Sequence, residues 1–188
     1  MTHPEHDLGS VASRPLCRRY ALAVPAVTLV RVSDATGVRE HSLFWVFGWL
    51  ADGECEVLGL CLGAHALPRM LDDFRRRGLE RVWHVEPIGD GCAQEVESAT
   101  LAIERAFPGA LASSRPHLLP GALAVSAGVR DGLTRAVRRH GHFEDEAAAL
   151  DFLARALHRA ERRLDRERQV AKEWPRPGSG AQTALQAG

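Results

Sequence analysis

Two acidic residues, Glu86 and Asp90, close the stretch RVWHVEPIGDG. Carboxylates at the end of a strand are suitable oxygen ligands for Mg²⁺. Ions held this way can activate a water molecule. Asp-Gly is also ordinary turn chemistry, which is the commoner role of Asp90 here. His140 and His142 flank Gly141 at a spacing that could touch one metal, but with no third ligand in view a helix-end loop accounts for them. Asp72 and Asp73 stand beside Arg75, Arg76 and Arg77, a pattern that reads as a solvated, ion-paired helix face. The cysteines at 17, 55, 61 and 92 make no CxxC or Cys/His zinc spacing. Cys55 and Cys61 are expected on one face of one strand, as buried free thiols in a reducing, cytoplasmic setting. No Ser-His-Asp arrangement, phosphate-binding glycine loop or dinucleotide fingerprint is present.

Charge narrows the partners. The 188 residues carry 24 basic and 24 acidic side chains, so no net field draws the chain to nucleic acid or to a membrane surface. All but one of the basic residues are arginine, the exception being Lys172. Arginine forks suit phosphate oxygens, although a GC-rich genome produces the same bias. Residues 130–172 are mildly positive and the remainder is negative by the same amount. Within that segment Arg135, Arg138, Arg139, Arg159 and Arg163 are the candidates for phosphate contact along DNA. The competing reading is a helix face laced with i,i+4 Glu/Arg pairs. No apolar run approaches the ~20 residues a membrane helix needs, and the polar N-terminus does not read as a signal peptide.

The elements that would position these groups follow from periodicity. Residues 20–32, 42–50 and 55–63 are rich in β-branched and aromatic residues and are joined by the turn signals SDATG and ADGE, which predicts an antiparallel meander. Pro25 removes a ladder donor and suggests an edge, a bulge or an early start to the first strand. The period then changes. Leu67, Met70, Leu71 and Phe74 share a helical face, with Gly78 as the stop. A fourth strand is predicted over 81–88 and a helix over 93–107, its buried stripe Val96, Thr100, Ile103 and Phe107. A short fifth strand is predicted over 110–118, then helices over 120–139 and from Phe143 to about 170, the last with the stripe Leu150, Leu153, Leu157 and Leu164. Trp45, Trp49 and Trp83 are expected in the core or on a sheet face. Residues 1–13 read as a flexible leader, 14–168 as one domain and 169–188 as a disordered tail. A meander followed by βαβ crossovers is the RNase H-like arrangement: an α/β mixed sheet, helices on both faces and a helical C-terminus.

Several stretches carry a closer likeness. RPL at 14–16, Tyr20, TLVRV at 28–32, EVLGLCLG at 56–63, FRRRGLERV at 74–82, LAIERAFPGA at 101–110 and EDEAAALDFLARAL at 144–157 resemble, in this order, the catalytic domain of Mutator-type insertion-sequence transposases. The resemblance spans roughly residues 14–165. It implies DNA strand transfer on two Mg²⁺ ions held by three acids, with DNA, an intact transposase or a second copy of the chain as partner. The family's first acid falls mid-way along the first strand and its second at the end of the fourth.

Carried over without gaps, the first acid position is Ala26 and the second is Ile88, two residues before Asp90. Asp34 cannot stand in for the first, since eight residues of extended strand span about 26 Å. The family's Cys-x-x-His falls on Ser114 and His117, and the Arg-Asn that follows falls on Pro120 and Gly121. The Thr-Asn-x-x-Glu segment that carries the third acid has no counterpart in these residues. The expectation is therefore a transposase-like domain, truncated and without strand-transfer activity. The alternatives are a DNA- or protein-binding module derived from one, and an active nuclease built on Asp90 and Glu86.

Overall fold

The structure, a computed structural model, describes residues 14–89, 93–109 and 119–173. Strand β1 (Arg19–Tyr20) leads into β2 (Leu22–Asp34), β3 (Gly37–Trp49) and β4 (Cys55–Leu62). Helix α1 (Leu67–Arg76), strand β5 (Arg81–Val82), and helices α2 (Ala93–Ala106), α3 (Leu119–His140) and α4 (Glu146–Glu173) follow. Strands β2, β3 and β4 form the expected antiparallel meander, and β1 pairs with β5 in parallel. The class is α/β.

The predicted fourth strand is only two residues long as a continuous ladder, and its remainder touches β2 at isolated parallel bridges, Ala23 to Val85 and Ala26 to Ile88. Pro25 explains the interruption. Ala23 N–H donates to His84 O (2.8 Å), Glu86 N–H donates to Ala23 O (3.0 Å) and Ile88 N–H donates to Pro25 O (3.2 Å). The rung that an N–H at position 25 would supply is the one missing. Pro25 therefore marks no edge, bulge or strand start; it sits inside a 13-residue strand with its missing donor turned away from β3. A further parallel bridge joins Val82 to Pro108 just after α2. The fifth strand predicted over 110–118 lies outside the described residues.

The sheet has a core on each face. On one, Leu22, Val24, Ala26, Val30 and Val32 of β2 pack with Trp45 and Phe47 against α3 and α4. On the other, Tyr20, Ala23, Phe44 and Leu58 meet Met70 and Phe74 of α1 and Ala99 and Ile103 of α2. Buried donors find partners: Trp45 Nε1 donates to Thr28 Oγ1 (3.1 Å) and Trp49 Nε1 to Ser126 Oγ of α3 (3.2 Å). Trp83 departs from expectation, being 48% exposed at the interrupted edge. On α2 the buried stripe is Val96, Ala99 and Ile103, continued by Phe107 just past its end, Thr100 being half-buried with its hydroxyl on Val96 O. Helix α4 starts at Glu146, not Phe143. Asp145 accepts the Ala148 N–H (2.7 Å) as its cap, while Phe143 bridges to Val32 of β2.

A bulge in β4 changes which face its residues present. The register slips where Val46 pairs with Gly59 and Phe47 with Val57, leaving Leu58 extra. Cys55 consequently joins the α3/α4 core and Cys61 the α1/α2 core, so the two thiols do not share a face. Burial pushes Cys55 up to about 11 and Cys61 up to about 12. Both stay protonated and slow to react, while Cys17 is exposed. Iodoacetamide at mildly alkaline pH is expected to modify Cys17 well before Cys55 or Cys61, with peptide mass mapping as the readout; rapid labelling of Cys61 would contradict this core.

Candidate functional site

Strand β2 and the segment after β5 bring Ala26 and Ile88 side by side in a parallel bridge. The two positions where the resemblance puts acids are thus neighbours, but both lie in the apolar core beneath α3, at 1% and 9% exposure. A methyl and a branched alkyl group donate no oxygen. Thr28, buried two residues on, already accepts the Trp45 indole N–H. Glu86 is held through its backbone to Ala23 O, and its carboxylate meets His84 Nε2 at 3.0 Å on the surface. Asp90, Ser114 and His117 lie outside the described residues. Among the described residues no group of three or more His, Cys, Asp or Glu could hold a metal ion. The residues present at Ala26 and Ile88 do not fit a two-metal centre, which needs several oxygen ligands per ion.

The remaining expected groups take structural places. Arg75 pairs with Asp72 (2.7 Å) and Arg76 with Asp73 (3.2 Å), as the helix-face reading expects, whereas Arg77, just past α1, meets Asp73 (3.3 Å) from a buried position and is not part of a solvated face. His140 stacks on Phe143, ring centroids 4.2 Å apart, and its Nδ1 faces His142 O. Asp34 ends β2 and turns the chain; the Thr36 hydroxyl and N–H, both at 2.6 Å, hold its carboxyl below the usual carboxylate range.

The arginines fall into two groups. Helices α3 and α4 line a groove of about 910 Å³. Gly128, Gly132 and Ala136 line it from α3, and Ala156 and Ala160 from α4. Arg135, Arg159 and Arg163 line it too, with Arg162 and Arg166, whereas Arg138 and Arg139 lie exposed on the last turn of α3 and outside it. Arg163 pairs with Glu167 (3.5 Å) and Arg155 with Asp151 (2.6 Å), the i,i+4 pattern. Arg135, Arg159, Arg162 and Arg166 take part in no ion pair among the described residues.

A second charged cluster is not apparent from spacing. Arg14 Nη2 lies 2.6 Å from Glu161 of α4 and 2.7 Å from Glu56 of β4. Tyr20 donates its hydroxyl to Glu56, and His158 Nδ1 meets the other Glu161 oxygen at 3.2 Å. Burial acts against the Arg14 cation, but the Glu161 hydrogen bond and both carboxylates outweigh it and hold its pKa above the usual arginine value. Burial and the Glu56 hydrogen bond raise the Tyr20 phenol in turn. Arg77 binds the same region, donating to Arg14 O (2.8 Å) and Leu58 O (2.5 Å). The guanidinium of Arg14 fills the space between the two carboxylates, so this cluster ties the segment before β1 to β4 and α4. The signal in the sequence was Glu161 itself, four residues past Leu157 on the buried stripe of α4.

The chain matches no protein-family model, and no curated protein matches it. No helix among the described residues is long and apolar enough to cross a membrane.

Proposed function

We propose that this chain is an RNase H-like domain of transposase type that has lost the metal-dependent chemistry and persists as a non-catalytic module. The observation that carries this reading is the Ala26–Ile88 bridge. The backbone brings together the two strand positions at which the resemblance expects metal-binding acids, and the side chains there are apolar and buried. The order β4-β3-β2, with the 81–88 segment and Pro108 added in parallel beyond β2, is compatible with such a mixed sheet. Its partners on this reading are those the resemblance implies: DNA, an intact transposase, or another copy of itself.

The direct test is supercoiled plasmid incubated with the protein and Mg²⁺ or Mn²⁺. The plasmid is expected to remain intact, and calorimetry with Mn²⁺ is expected to give no saturable binding in the micromolar range. Metal-dependent nicking that Asp90→Ala abolishes would establish the active nuclease instead.

A further inference from the structure

Two glycines in the middle of α3 make no close packing contact among the described residues. Gly128 and Gly132 face open space: a Cβ at either would meet nothing within 4 Å, and neither has a positive φ. A helix-interior glycine costs about 1 kcal/mol relative to alanine, so the fold alone would favour alanine at both. With Ala136, Ala156 and Ala160 they floor the α3/α4 groove. Small residues at four-residue spacing let a third helix approach closely. The groove wall carries Arg135, Arg159, Arg162 and Arg166, unpaired among the described residues, with Asp165 as its one acid. No aromatic side chain lines it, so it lacks the stacking platform of a single-strand nucleic-acid channel.

The opposite side of the molecule carries the complement. Helix α2 exposes Leu101 (44%), one of four large hydrophobics exposed among the described residues. Glu97 and Glu104 flank it at i−4 and i+3 and Arg105 at i+4, all exposed, so the face is acidic by one charge. At 1.5 Å per residue α2 is about 21 Å long, and the α4 wall from Ala156 to Gln169 is about 20 Å. We propose that the α3/α4 groove receives helix α2 of a second copy of this chain, Leu101 over the glycine floor and Glu97 and Glu104 against the arginines. This deepens the non-catalytic reading by naming its partner. Because groove and helix lie on opposite faces of the sheet, the contact is head-to-tail and leaves a free groove at one end and a free α2 at the other. One helix in one groove is a small interface, so the association is weak and concentration-dependent.

The test is analytical ultracentrifugation of the full chain with a charge swap. The parent's average mass is expected to rise above 20.5 kDa as concentration increases through the micromolar range. Arg159→Glu/Arg162→Glu and Glu97→Arg/Glu104→Arg should each remain monomeric alone, and their mixture should associate about tenfold or more tightly than either. Gly132→Leu places a Cβ that meets nothing within 4 Å among the described residues and projects its side chain into the groove, and it favours the helix; it should abolish association while circular dichroism shows a folded protein. A parent that stays monomeric at hundreds of micromolar, or a mixture that does not recover association, overturns the proposal. So does an arginine-dependent shift of duplex DNA by a monomeric parent that Gly132→Leu leaves unchanged, which would assign the groove to phosphate. None of these outcomes alters the plasmid-nicking result, so the two proposals fail separately.

Discussion

Ala26→Asp, the substitution that restores the first acid expected from the resemblance, is expected to unfold the domain before it produces any activity. Ala26 is 1% exposed in the core beneath α3, bridged to Ile88. Among the described residues it sits in a cluster of apolar side chains that offers a carboxylate no partner. Thr28, buried two residues along the same strand, already accepts the Trp45 indole N–H. An unpaired buried charge costs about 3–5 kcal/mol, against a total stability of about 5–15 kcal/mol for a domain. The introduced carboxyl would relieve part of this by staying protonated, so the loss relative to the parent should shrink as pH falls. Chemical denaturation of parent, Ala26→Asp and Ala26→Ser at two pH values measures it. The serine variant controls for volume and should lose about 1–2 kcal/mol. An aspartate variant with the parent's midpoint would mean that position 26 opens onto solvent or a ligand cavity, and the non-catalytic reading would fail with it.

The parts of this structure legible in the sequence are those set by short-range pattern. The meander follows from alternation and two turn signals, and α1 from the spacing of Leu67, Met70, Leu71 and Phe74. What pattern alone did not give depends on one residue changing the register of its neighbours. Pro25 interrupts the parallel ladder without ending its strand, because which neighbour it fails depends on the pairing partner. The Leu58 bulge reverses the face of Cys61, and a period-two reading carries no warning of it. Of the candidate site, the Ala26 and Ile88 positions were legible as a pair, since parallel neighbours follow from the topology. The groove was not: Arg135 and Arg159 belong to different helices, and how far apart α3 and α4 stand is fixed by packing on the sheet, not by either helix's own periodicity. Asp90, Ser114 and His117 fall outside the described residues, so their expected roles rest on the resemblance.

The Arg14 cluster makes the second large effect. Arg14 and Glu161 are 147 residues apart, and their contact joins the segment before β1 to α4. Glu161 is 4% exposed in its side chain and Glu56 17%, whereas Arg14 is 43% exposed. Arg14→Ala would therefore strand two carboxylates near one another, one of them almost fully buried, with His158 and Tyr20 as their remaining partners. Removing one partner of a buried pair costs about 3–5 kcal/mol; the half-exposed arginine and the surviving histidine contact put Arg14→Ala near the low end. Glu161→Leu removes the buried charge itself and fits an apolar stripe already holding Leu153 and Leu157. Replacing a buried ionic group by an apolar one of similar volume is often neutral or stabilising once no charge is stranded. The two changes together should thus cost about 1–2 kcal/mol less than their separate costs added, a coupling that a double-mutant denaturation cycle resolves. Strict additivity would show that Arg14 is held by Glu56 alone, and that α4 is fixed to β4 by its leucines without help from the ion pair.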